Sequence, residues 1–192
     1  MKRVAFLLFV ASCFLPLASA QDRLQAGVYA DYFRISQTDT NQAGLGVRVG
    51  FKAFSYTTLE GEMSYDFAQA FNEGFTDTGT GAVTVQRTNM RVLHGLFGPK
   101  FEPKRGGIRP FFTVKGGFVN FRLNDRPATV GTFFSSVESL RSNNVSGVLY
   151  PGGGLEGHLG PVGLRLDVGD EIYFADGAHH NLRVAFGPFL RF

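Results

Sequence analysis

From Gln21 onward, apolar residues recur at every second position, and the alternating stretches are separated by clusters of Gly, Asn, Asp and Pro. A period of two sends successive side chains to opposite faces of a strand, whereas an amphipathic helix repeats near every 3.6 residues. The pattern predicts eight strands, over residues 24–35, 43–54, 57–69, 84–98, 108–121, 145–158, 162–174 and 182–192. Each is long enough for the roughly 9 to 11 residues with which a tilted strand crosses a hydrocarbon layer. In the second strand Leu45, Val47, Val49 and Phe51 share one face, and Gly44, Gly46, Arg48, Gly50 and Lys52 share the other. In the third, Leu59, Met63, Tyr65 and Phe67 alternate with Glu60, Glu62, Ser64 and Asp66; in the seventh, Leu164, Leu166 and Val168 alternate with Arg165, Asp167 and Gly169.

Periodicity alone does not separate a soluble sandwich, with apolar faces inside, from a membrane barrel, with apolar faces outside. Connection lengths favour the barrel. The links 52–57, 101–107 and 158–162 are tight, whereas 71–83 and 122–144 are long and polar, the asymmetry expected of short periplasmic turns and long outer loops. An even strand count returns both termini to one side and lets the first strand pair with the last. That closure satisfies every backbone group where water is absent. The expectation is an all-β fold, an eight-stranded antiparallel up-and-down transmembrane β-barrel. Its uncertain registers are the first strand, where Val28, Ala30 and Tyr32 compete with Tyr29, Phe33 and Ile35 for the lipid face, the fourth, where His94 sits among Met90, Val92 and Leu96, and the sixth, bent by Gly152, Gly153 and Gly154.

The N-terminus changes the compartment. Lys2 and Arg3, the apolar run from Val4 to Leu17, and the small residues Ala18-Ser19-Ala20 form a secretory signal, predicted over 1–20 with cleavage after Ala20, leaving a barrel domain over 21–192. Val10-Ala11-Ser12-Cys13 resembles a lipoprotein box, but the apolar run continues past Cys13, so Cys13 is expected to leave with the signal. The mature chain would then hold no cysteine, which excludes a disulfide scaffold and thiolate metal sites. The formal charge of +3 falls to +1 without Lys2 and Arg3, so the basic pI is no sign of nucleic-acid binding. No later run of about 18 apolar residues offers a second membrane helix.

An eight-stranded barrel has an interior just wide enough to be filled by side chains. The alternation assigns to it Arg48, Lys52, Glu60, Glu62, Asp66, Arg91, Lys115, Glu156, Arg165, Asp167, Glu171, Arg183 and Arg191, a near-balanced set that reads as a structural ion-pair network. Glu60 and Glu62 share a face, as acid–base carboxylates would, but cations flank them. His179 and His180 lie in a loop as a weak metal candidate, and Ser64, Ser146, His94 and His158 supply nucleophile and base types without a recognisable spacing. Gly44, Gly46 and Gly50 read as relief of crowding inside a small barrel and open no helix, so no phosphate-binding loop is present. Tyr29, Tyr32, Phe71, Phe121, Tyr173 and Phe174 near strand ends suggest an aromatic girdle at the membrane surface. No catalytic residue, cofactor or metal ligand is predicted.

The signal ending Ala18-Ser19-Ala20, Leu96-Phe97-Gly98-Pro99-Lys100-Phe101, Arg109-Pro110-Phe111-Phe112, Gly152-Gly153-Gly154-Leu155 with Leu164-Arg165-Leu166, and the terminal Phe192 resemble the eight-stranded outer-membrane barrels of the OmpA and OmpX type. The resemblance runs over 21–192 and implies an outer-membrane location in a Gram-negative cell envelope. It implies assembly through a C-terminal signal carried by Phe186, Leu190 and Phe192, recognised by the barrel-assembly machinery. It also implies a non-enzymatic, structural or surface-interaction role of adhesion type, with lipid around the wall and an extracellular ligand at loops 71–83 and 122–144. The alternatives are a small solute pore, a lipid-modifying outer-membrane enzyme, and a soluble periplasmic β-barrel binder. Many relatives add a periplasmic wall-binding domain; this sequence is expected to lack one.

Overall fold

The computed structural model describes residues 23–104, 106–123, 133–135 and 145–192, so the predicted signal, its cleavage point and Cys13 lie outside the described residues. The strands are β1 (Leu24–Ile35), β2 (Thr40–Phe54), β3 (Thr57–Asp77), β4 (Val83–Phe101), β5 (Ile108–Leu123), β6 (Phe133–Ser135), β7 (Val145–Leu159), β8 (Val162–Asp170), β9 (Ile172–Phe174), β10 (Ala178–His179) and β11 (Leu182–Arg191). Strands β1, β2, β3, β4, β5, β7 and β8 pair antiparallel in succession, β8 pairs with β11, and β11 pairs with β1 to close the ring, while β6 pairs with β3. At the seam Leu24 donates to the Phe192 carbonyl (3.2 Å) and Phe192 donates back to Leu24 (2.9 Å), so no sheet edge is left open there.

β8 and β9 are one stave. Gly169 opposite Gly152 and Ile172 opposite Leu149 hold the same register along β7, and β10 and β11 continue one another along β9 and β8 in the same way. Asn181 stitches the interruption: its side-chain amide donates to the carbonyls of Glu171 and His179, and its side-chain oxygen accepts from the Ser36 amide. The wall is therefore eight staves, an all-β closed antiparallel barrel, as the alternation predicts.

The two ends differ. The short connections β2–β3, β4–β5 and β7–β8 mark one end together with both chain termini of the barrel. At the other end β3 and β4 do not stop where the polar composition of 71–83 suggests a loop. They continue to Asp77 and Val83, leaving a turn of only 78–82, and the resulting hairpin pairs with β6 through Phe75 opposite Ser135. Thr and Asn tolerate strand geometry once a partner strand supplies the ladder, so polarity misread an extended hairpin as a loop. The remainder of the predicted loop 122–144 lies outside the described residues apart from its first two residues and β6.

Side-chain direction is the reverse of a soluble sandwich. Val28, Leu45, Val47, Val49, Met63, Phe97, Phe118, Leu164, Leu166 and Phe186 are exposed on the outer wall, while charged side chains from every stave are buried within. On β1 it is Val28, Ala30 and Tyr32 that face outward, and Tyr29, Phe33 and Ile35 that face inward. On β4 the even positions Met90, Val92, His94 and Leu96 face inward, which settles the strand that alternation left open. The girdle expectation is corrected in part. Only Tyr32 and Phe174 stand outward; Tyr29, Phe121 and Tyr173 are buried in the lumen, and Phe71 packs against its core. Many inward positions near the long-hairpin end are apolar as well, so an aromatic there carries no signature of its face.

Candidate functional site

The inward positions near the short turns build a continuous ionic network. Lys100 on β4 reaches Glu156 on β7 (2.5 Å) and Glu60 on β3 (3.3 Å), while Arg165 on β8 bridges Glu60 (2.6 Å) and Asp167 (2.7 Å). Arg191 on β11 closes this level on Glu156 (3.0 Å), and Arg109 lies between Glu102 and Glu156. One level further in, Glu62 accepts from Arg48 (2.7 Å), Lys115 (2.9 Å) and Arg183 (2.9 Å), three strands converging on one carboxylate. Tyr150 donates to Asp167 (2.8 Å). Aromatic faces complete the cradle: Arg165 lies 4.0 Å from the Phe111 ring centre and Arg48 4.7 Å from that of Tyr29. Such cations and carboxylates tolerate burial because each lies within ion-pair distance of an opposite charge and most are also hydrogen-bonded.

Inward glycines make room for these rings. A Cβ at Gly46 would overlap the Tyr29 ring, and one at Gly152 or Gly169 would meet Tyr150. Of the three glycines expected to relieve crowding, Gly46 seats an aromatic ring, whereas Gly44 lies against Asp66 and the Tyr65 carbonyl and Gly50 against Thr58, Glu60 and Gln25.

At the third level Arg183 forks both oxygens of Asp31 (3.0 and 2.8 Å), and His94 stands between Asp66 (3.0 Å) and Glu171 (2.6 Å). Above it the lumen turns apolar. Phe33, Ile35, Met90, Val92, Leu96, Val119, Phe121, Val148 and Tyr173 pack into one cluster, with Phe33 edge-on to the His94 ring at 4.7 Å. Asp31, Asp66 and His94 each bring a ligand-type atom within 4.8 Å of the others. Both Asp31 oxygens accept from Arg183, and the two His94 nitrogens meet Asp66 and Glu171, so the set has the chemistry of an ion-pair clamp at the boundary between the two halves.

Of the thirteen side chains assigned to the interior, Arg48, Glu60, Glu62, Asp66, Lys115, Glu156, Arg165, Asp167, Glu171, Arg183 and Arg191 lie in this network, and Lys52 is half-buried at the short-turn rim beside a register shift. Arg91 does not: it is exposed on the outer wall, opposite Arg122. The error follows from parity, because the apolar set Met90, Val92 and Leu96 looks like a lipid face and fills the lumen instead. The same inversion hid His94 and Lys100, and alternation back from Lys115 would have found Arg109.

The catalytic residue types are dispersed or occupied. Ser64 and His94 are cross-strand partners, yet Ser64 accepts from Arg183 (3.0 Å) and both His94 nitrogens meet carboxylates. Ser146 is buried near the long-hairpin end, and His158 sits near the short turns. His179 stacks on Tyr173 and bonds the Ala175 carbonyl (2.9 Å), while His180 pairs with Asp170 (2.5 Å), so the two histidines do not converge. Phe186 and Leu190 face outward on the closing stave, and Phe192 ends the seam.

No family model and no curated protein matches the sequence. Solved structures do match in shape: Neisserial surface protein A at a TM-score of 0.56 and 9% identity, over 88% of this chain and 96% of that one. Ail, the attachment invasion locus protein of Yersinia pestis, solved with the heparin analogue sucrose octasulfate, matches at 0.51 and 13%, over 88% and 97%. The chain has the fold of the small eight-stranded outer-membrane barrels. In this OmpA/OmpX-like barrel, identities this low establish the shared architecture and leave function to be argued from the residues.

Proposed function

We propose that this barrel spans the outer membrane with its long hairpin end outward and serves a structural and surface-interaction role, without catalysis. One observation carries the reading: a closed ring whose outer wall is apolar and whose interior is ionic is stable only where hydrocarbon surrounds it. The filled lumen supports a plug over a solute path. Lys100, Lys115 and Arg183 are buried among carboxylates, and an apolar cluster caps them among the described residues. An exported chain of this kind would be inserted by assembly machinery reading Phe186, Leu190 and Phe192.

The contact surface of this reading is the β3–β4 hairpin, which projects as a paired ribbon with exposed Val83 and Val85 and is buttressed by β6. A preformed ribbon lowers the ordering cost of binding. The Yersinia neighbour is by name an attachment protein, and an adhesive role for the hairpin here is consistent with it.

Electrophoresis of the outer-membrane fraction with and without boiling tests the membrane assignment. A heat-dependent mobility shift is expected; a chain recovered in the soluble periplasm with no shift would refute the assignment in favour of a soluble binder. Removing residues 76–84 or 129–144 should keep that shift and weaken attachment to host surfaces. Attachment unchanged after both deletions would end the adhesion reading.

A further inference from the structure

The outer wall carries a charge pair that no carboxylate among the described residues neutralises. Arg91 on β4 and Arg122 on β5 are cross-strand partners, and both side chains are exposed. Directly opposed side chains start from Cβ atoms about 4.5–5.5 Å apart, a spacing at which like charges destabilise a sheet. Among the described residues no carboxylate forms an ion pair with either guanidinium, and the outward positions beyond Arg91 on β3 and β4 are Ala70, Asn72, Asn89 and Arg87. An external anion would convert this repulsion into a bridge.

Position identifies the kind of anion. One ladder step toward the short turns is Leu93 opposite Asn120, then Gly95 opposite Phe118 and Phe97 opposite Gly116, so the arginines stand at the rim of the apolar band. Beyond the Leu93–Asn120 pair, on the same two strands together with β3 and β2, the outer wall carries a groove lined by Val49, Gly61, Met63, Phe97, Gly116 and Phe118. A charged site at the rim, with an apolar groove starting one outward pair further down the wall, fits a molecule with an anionic head and a hydrocarbon tail.

We propose that Arg91 and Arg122 bind the phosphate of a phosphomonoester lipid headgroup in the outer leaflet, with one acyl chain lying in the groove below. The inference rests on the membrane orientation proposed above. A phosphomonoester carries between one and two negative charges and three acceptor oxygens, enough for two guanidinium forks at once. Arginine suits the position because its aliphatic stem lies along the apolar wall while the planar fork reaches the headgroup level.

Native mass spectrometry of the refolded barrel in maltoside micelles, doped with phosphatidic acid or phosphatidylcholine, tests this. The wild type should retain one phosphatidic acid about tenfold better than phosphatidylcholine, and R91Q/R122Q should lose that preference while keeping the heat-dependent gel shift. R91K/R122K, which keeps both charges if the glutamine variant fails to fold, should weaken retention several-fold through loss of the forks. Equal retention of the two lipids, or unchanged retention in both double variants, overturns the proposal. Displacement by inorganic phosphate at matched concentration overturns the lipid assignment in favour of a free-phosphate site. A wild type without a gel shift overturns the barrel reading itself, independently of the arginines.

Discussion

The lumen has two halves that solve the same packing problem with opposite chemistry. Near the short turns Glu60, Glu62, Glu156 and Asp167 are matched by Lys100, Lys115, Arg48 and Arg165; near the long hairpin the same inward parity carries Phe33, Ile35, Met90, Val92 and Phe121. The ionic half is held by directional bonds that fix which strand lies opposite which, since Glu62 is satisfied only when β2, β5 and β11 all present their cations to it. The apolar half gains from burial and shape, is less particular about register, and excludes water from the clamp at His94. A barrel wall surrounded by hydrocarbon gains little by burying apolar side chains inside, so the ionic half is where specificity is concentrated.

The sharpest way to break this contrast is at its hub. Glu62→Ala leaves Arg48, Lys115 and Arg183 with only Asp167, Glu60 and Asp31 to offset them, and loss of one partner of a buried pair costs about 3–5 kcal/mol. Urea unfolding of the refolded barrel should show that loss; a change below 1 kcal/mol would mean water enters the lumen freely. In the apolar half, Phe121→Ala should cost about 3 kcal/mol through cavity formation, with the gel shift retained. A small cost there would show that the upper cluster is loosely packed. Gly46→Val, which drives a side chain into the Tyr29 ring, should cost about 1–3 kcal/mol and disturb the Arg48–Tyr29 contact, read as a lower urea midpoint.

The smallest effect lies outside both halves, at the hairpin tip. The backbone amide of Gly79 donates to Asp77 (2.8 Å), followed by that of Thr80, and these bonds hold the Asp77 carboxyl below its ordinary value. A lowered folded pKa contributes order that is fully present above the unfolded value and is lost as pH falls through the folded one. Amide chemical shifts of Gly79 and Thr80 should therefore titrate together on acidification, below the range of a free aspartate, while the lumen remains unchanged. A titration at the free-aspartate value would show that the turn is not closed by this carboxylate.

Legibility followed the alternation. Strands with charged residues on one face, such as Thr40–Phe54 and Val162–Asp170, announce both their existence and their orientation, because no charge can face lipid unpaired. Strands whose two faces are both apolar announce only their existence. That is why the alternation places Arg91 inward, leaves the face of Tyr29 open, and suggests a girdle for Phe121 and Tyr173 that the lumen claims instead. The continuation of β3 and β4 to Asp77 and Val83 was illegible for a different reason: strand pairing beyond the apolar band depends on the partner strand and leaves no hydrophobic signature.

By itself, then, the order of residues determined a period of two, eight crossings, the short-turn end and the inward charge of the well-patterned staves. These are local consequences of side chains alternating across a strand, and they survive any choice of neighbours. Which carboxylate meets which cation, that His94 lies between Asp66 and Glu171, and that Arg91 faces Arg122 on the outer wall were decided only by closing the ring. Closure fixes the register of every stave against two others at once, and it is register that turns a set of charges along the chain into particular pairs in space.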